Sequence, residues 1–198
     1  MSLFIESIKI SKGKYFNLNG HEARMHKVMS EVFGLTEITR LKSVLKVPDT
    51  LKTTLVKARI TYDTEIRKID YEPYTIRSIK KAKIVIHDYI HYPYKYADRT
   101  ELNTLFAQRD DCDEIIIVKN GFVTDACNYN LIFQKDTGYF TPIKPLLNGT
   151  QRQRIIQKGI ATPKEIHIDD IIHYDRVHFI NALTGLRECS IPVNHVAF

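Results

Sequence analysis

Four consecutive branched aliphatic residues, Ile115-Ile116-Ile117-Val118, lead through Lys119 into Asn120-Gly121 and then Phe122-Val123-Thr124. An unbroken apolar run of this kind reads as a strand buried on both faces. Asn-Gly is the strongest short signal for a tight hairpin, because both residues tolerate a positive φ. A strand covered on both sides needs further layers packed on it. The rest of the chain supplies strand and helix patterns in mixture, which predicts an α/β or α+β fold.

The N-terminal pattern is the clearest. Residues 4–10 alternate apolar and polar and predict a strand. Ser11-Lys12-Gly13-Lys14 is a turn, and residues 15–18 return as a second strand. His21 to Phe33 has helical spacing, with Met25, Val28, Met29 and Val32 as its apolar stripe and Gly34 as its stop. Residues 41–45 predict a short helix ended by Pro48, and 50–57 another helix. Residues 58–62 and 65–71 predict a hairpin about Asp63-Thr64. Further strands are expected over 83–87, 114–118, 122–124, 130–134 and 176–180, with helices over 102–108 and 149–158. Residues 1–78 are expected to form a small α/β domain and residues 79–198 a larger one.

Composition narrows the class. The 198 residues are 43% hydrophobic, enough apolar surface to fold without disulfides or metals. Cys112, Cys127 and Cys189 are odd in number and form no C-x-x-C pair, so a reducing cytoplasm is the simplest compartment. No apolar run approaches a membrane span, and Glu6 comes too early for a signal peptide. The net charge of +6 is dispersed. Its one tight cluster, Lys80-Lys81-Ala82-Lys83, reads as a solvated strand entrance rather than a nucleic-acid patch; a small anionic ligand needs only a few converging cations. His87 and His91 lack an acidic residue to complete a ligand set, so no metal is expected.

Five pieces, in order, resemble the fold-type IV family of pyridoxal-phosphate enzymes, the class IV aminotransferases and aminodeoxychorismate lyase. They are Glu6-Ser7-Ile8 with Gly13-Lys14 and His21-x-x-Arg24-Met25; Lys95-x-x-x-Arg99; Asn120-Gly121 with Thr124-Asp125 and Asn130-Leu131; Thr141-Pro142 with Leu147-Asn148-Gly149-Thr150-Gln151-Arg152; and Asn181-Ala182-Leu183. The second and last are closest to the lyase. The resemblance spans nearly the whole chain, apart from the family's opening segment. It implies a D-amino acid aminotransferase-like fold, a small α/β domain before a larger pseudo-barrel domain, and a homodimer acting on a small amino-acid-like substrate, with no nucleic-acid or membrane partner.

The resemblance also implies roles. Lys95 corresponds to the lysine that forms a Schiff base with pyridoxal 5'-phosphate; its local sequence alone describes an ordinary exposed lysine. Asp125 stands where the family carries the glutamate that pairs with the pyridine nitrogen, one methylene shorter. Arg24, Gly149, Thr150 and Gln151 correspond to the phosphate site, Arg24 through a two-point guanidinium grip and the others at a helix start. Leu147 corresponds to the apolar residue on the ring face, or is a core leucine. Arg99 meets a substrate carboxylate, balances the site's charge, or pairs with Asp98 or Glu101. Asn181 contacts the cofactor or is a strand-edge amide. The expected activity is that of 4-amino-4-deoxychorismate lyase, which forms 4-aminobenzoate and pyruvate in folate biosynthesis. The alternatives are an amino-acid aminotransferase and a non-catalytic anion binder.

Overall fold

The computed structural model describes residues 2–37 and 40–198. They form two compact units: one takes the chain up to Thr75 together with Tyr94–Asp98, the other Ile76–Pro93 and Arg99–Phe198. Lys95 therefore sits in the first unit, whereas a division at residue 78 assigns it to the second.

The first unit begins with β1 (Phe4–Ser11), β2 (Lys14–Tyr15), α1 (Leu18–Phe33) and α2 (Leu41–Val44), and ends with β3 (Leu55–Tyr62) and β4 (Ile66–Pro73). Its sheet has the order β2-β1-β3-β4, with every neighbouring pair antiparallel. Alternation decides which face is covered. Phe4, Ile8 and Ile10 of β1 and Val56, Ala58, Ile60 and Tyr62 of β3 pack with Met25, Val28 and Met29 of α1. Gly34 closes α1 with φ 68°, and its N–H donates to Ser30 O at 3.1 Å. That left-handed position suits glycine. The helix expected over 50–57 is absent: Asp49–Leu51 is a single 3-10 turn and β3 starts at Leu55. The alternation of Val56, Ala58, Ile60 and Tyr62 into the core outweighs the local helical spacing. Likewise only Lys14 and Tyr15 return as a strand. Asn17, at φ 55°, turns the chain into α1 four residues before His21.

Residues 94–98 join this unit by strand-like pairing with β1. Ile5 N–H donates to Lys95 O at 2.9 Å and Ala97 N–H to Leu3 O at 2.8 Å. The Tyr96 and Phe4 ring centroids are 5.1 Å apart.

The second unit contains β5 (Ala82–Ile86), α3 (Thr100–Phe106), β6 (Glu114–Lys119), β7 (Phe122–Ala126), β8 (Asn130–Lys135), β9 (Gly138–Pro142), α4 (Thr150–Gln157), β10 (Thr162–Lys164), β11 (Arg176–Ile180), β12 (Ser190–Pro192) and β13 (Val196–Ala197). Its nine-stranded sheet runs β10-β9-β8-β7-β6-β5-β13, with β11 paired to β8 and β12. Residues 115–118 of β6 are all buried, and Asn120 (φ 51°) and Gly121 (φ 80°) make the turn into β7. β7 meets β8 through a single pair, Asp125 and Asn130. The Lys80–Lys83 cluster is matched by acids: Lys81 pairs with Asp111 at 3.0 Å, and Asp113 accepts the N–H of Lys80 at 2.7 Å. Among the described residues no helix is long and apolar enough to cross a membrane.

Candidate active site

In the first unit the polar residues sit at inward positions. Glu6 follows Phe4 on the covered face of β1 and is fully buried. His21 and Arg24, three apart on α1, both reach it. His21 Nδ1 donates to Oε2 at 2.5 Å; Arg24 donates from Nε to Oε1 at 2.8 Å and from Nη2 to Oε2 at 2.6 Å. Burial pushes the Glu6 carboxyl up, but Arg24 and His21 outweigh it and hold it at about 2. The two-donor edge of Arg24 is thus given to Glu6 and not to the phosphate that the family resemblance implies. Burial, with the Glu6 charge behind it, drives the Tyr62 phenol upward. Tyr94 and Tyr96 both pack on the core side of β1, and Tyr96 N–H donates back to Tyr94 O at 3.0 Å in a tight turn about the half-buried Lys95.

In the second unit the candidates converge on residues 125–130. Asp125 is 5% exposed, and its two oxygens accept Asn130 Nδ2 at 2.7 Å and Leu147 N at 2.8 Å. The same Asn130 amide donates to Leu147 O at 2.8 Å. Burial pushes Asp125 up to about 6, against these bonds and the more distant Arg152. Among the described residues it forms no ion pair. Arg99 Nη2 donates to Cys127 O at 2.7 Å. Asn181 Nδ2 donates to Asn128 O at 3.2 Å, while its Oδ1 accepts Leu183 N and Thr184 N, both at 2.9 Å. Its amide therefore shapes a turn and tethers the 127–129 loop.

Gly149 and Thr150 start α4. The helix has no side-chain cap and no acid in its first turn. A Cβ at Gly149 would collide with Asn130 Oδ1, so glycine is needed for the backbone to come this close. Arg152 fixes the helix from behind: it donates to Thr141 Oγ1 at 3.2 Å, Pro142 O at 2.7 Å and Asn148 Oδ1 at 3.0 Å. Gln151 is half-buried one residue into the helix.

Glu6, His21, Asn130 and Arg152 had no assigned role from sequence. A charged residue in the inward register of β1 was the available signal for Glu6, since such a group needs buried partners. His21 and Arg24, spaced i, i+3 beside the apolar stripe, were the partners.

The residues fit a phosphorylated pyridine. A buried carboxylate without a cation suits a protonated ring nitrogen. An uncapped, acid-free helix start with a forced glycine suits a phosphate.

This fold is that of a known class. The family model for Amino-transferase class IV matches residues 3–191, and the chain belongs to that family. With the family comes a pyridoxal-phosphate-dependent enzyme, as the sequence resemblance implied. An uncharacterized protein of Haemophilus influenzae is 40% identical over 183 residues, 91% of this chain and 97% of its own length. A Haemophilus somnus crystal structure, provisionally described as a 4-amino-4-deoxychorismate lyase, is 32% identical with a TM-score of 0.88, covering 94% of this chain and 98% of that one. A branched-chain aminotransferase from Thermoproteus uzoniensis shares the fold at 16% identity and TM-score 0.76, covering 98% of this chain and 78% of its own.

Proposed function

We propose that this protein is a lyase that releases pyruvate from 4-amino-4-deoxychorismate and leaves 4-aminobenzoate. What supports the cofactor chemistry is the buried Asp125, which forms no ion pair among the described residues and is held by Asn130 and Leu147 beside the start of α4. The resemblance to the Haemophilus somnus structure favours the lyase over an aminotransferase, as do Lys95-x-x-x-Arg99 and Asn181-Ala182-Leu183. We extend the reading to a cytoplasmic homodimer in folate biosynthesis.

Pyridoxal phosphate, when bound, supplies an aldehyde for the substrate amine and a ring that accepts the electron pair left at carbon. Lys95 would hold it through Nζ, and its amine, when free, would take the proton from the amine-bearing carbon of the substrate and return one to the departing pyruvate. Asp125 keeps the proton on the ring nitrogen. Gly149, Thr150 and Gln151 hold the phosphate with backbone N–H groups and the Thr150 hydroxyl. Leu147 packs on the ring, and Arg24, whose two-donor edge is taken by Glu6, has no part in this phosphate site.

The test adds 4-amino-4-deoxychorismate to the pyridoxal-phosphate-loaded protein and follows 4-aminobenzoate and pyruvate. Equimolar appearance of both supports the lyase. Amino transfer to a 2-oxo acid without 4-aminobenzoate assigns an aminotransferase, and neither activity points to a non-catalytic member. Asp125→Asn keeps the shape but removes the charge, and is expected to lower turnover on the order of 10²-fold with the protein still folded, checked by steady-state kinetics.

A further inference from the structure

Glu114 opens β6 and is fully buried. Its Oε1 accepts the N–H of Ile115 at 3.0 Å and that of Cys127 at 3.3 Å. Its Oε2 has no hydrogen-bond partner among the described residues. Cys127 is gripped from its other end as well: Arg99 Nη2 lies 2.7 Å from Cys127 O and 3.4 Å from its Sγ. The strand ladder does not do this work. β6 and β7 change register between Ile116 and Val118, and their pairing reaches only Ile116 with Ala126. Past Ala126 the chain has left β6; Ala126 N–H donates to Tyr129 O at 2.8 Å to close the turn into β8, and the Glu114 and Arg99 side chains hold Cys127 within that turn.

We propose that Glu114 and Arg99 are positioning residues, which clamp the Cys127 peptide between them and so hold Asp125, two residues earlier, in place for the ring nitrogen of the cofactor. This rests on the role proposed above for Asp125. It also gives Arg99 a task other than meeting substrate.

The titratable groups facing Glu114 are Arg77, Arg99, Cys127 and Cys189. Burial pushes Glu114 up to about 7, against the bonds from Ile115 and Cys127 and the pull of both arginines. The carboxylate thus ionises near neutral pH, and its hold on the Cys127 N–H strengthens as it does. A raised carboxyl pKa is a stability cost at high pH. The fold favours the neutral form, and that advantage is lost as pH rises through about 7.

Protein labelled with 15N-cysteine has three cysteine amide signals to follow, from Cys112, Cys127 and Cys189. In the wild type the Cys127 signal is expected to titrate with a midpoint near 7. In Glu114→Gln it stays fixed. That variant should melt higher than wild type above pH 7, the gap closing as pH falls toward 4.5, yet bind pyridoxal phosphate about tenfold more weakly. Arg99→Lys should move the Cys127 signal and weaken the cofactor without removing the titration. A Cys127 signal that does not titrate, or still titrates in Glu114→Gln, overturns the clamp. A lost titration with unchanged cofactor affinity reduces it to a structural contact and overturns the positioning role. A wild type that forms no visible band with pyridoxal phosphate defeats the functional reading and the clamp's purpose, while the titration still reports whether the grip exists.

Discussion

Lys95→Ala is expected to lower turnover by on the order of 10³-fold or more while the protein stays folded. The side chain and the backbone of this residue do separate jobs. Its carbonyl accepts Ile5 N–H at 2.9 Å and docks residues 94–98 on β1, a bond that alanine retains. The flanking Tyr94 and Tyr96 rings pack with Phe4 on the core side, so they anchor the segment whatever stands at 95. The backbone contacts of the segment are therefore the same in the alanine variant. Steady-state formation of 4-aminobenzoate and a thermal melt of the same preparation separate the two jobs. An alanine variant that turns over normally removes Lys95 from the chemistry.

Glu6→Ala is expected to cost about 3–5 kcal/mol, because it leaves the Arg24 charge and the His21 ring buried without their shared acceptor. The wild-type pH dependence has a fixed sign. The Glu6 carboxyl is held at about 2 in the folded protein against 4.5 for the free group. Its contribution, on the order of 3 kcal/mol, is complete above 4.5 and disappears as pH falls toward 2. Urea unfolding of wild type and Glu6→Gln across that interval checks it: the wild type loses this increment and the variant has none to lose. A Glu6→Ala protein destabilised by less than about 1 kcal/mol contradicts the buried triad.

What the sequence reveals tracks how local each signal is. The β6–β7 hairpin is legible because Asn120-Gly121 carries its own turn geometry and residues 115–118 carry their own burial. β11 is legible because Arg176 to Ile180 pairs along its whole length with β8. β9, β10, β12 and β13 are not, since each depends on a distant partner strand: Thr162 pairs with Phe140, and Val196 with Ala82. The start of α1 is missed because Asn19-Gly20 looks like a break, whereas the turn falls at Asn17. The candidate site divides the same way. Lys95, Asp125 and Gly149 stand out only through the family pattern, since a lysine between tyrosines and an aspartate after a hairpin are common. Nothing in spacing joins Asp125 to Leu147 N or Asn130 to both, because those bonds form when β8 and the loop before α4 come together. The two-point phosphate grip of Arg24 came from the motif alone, and the partner it meets, Glu6, lies eighteen residues earlier.

We propose that this chain carries pyridoxal phosphate on Lys95. The direct measurement is to add the cofactor, reduce the protein with borohydride, and map the modified peptide by mass spectrometry. A single reduced adduct on Lys95, absent when Lys95→Ala is treated identically, is the predicted result. An adduct spread over surface lysines, or none with the protein folded, would contradict it.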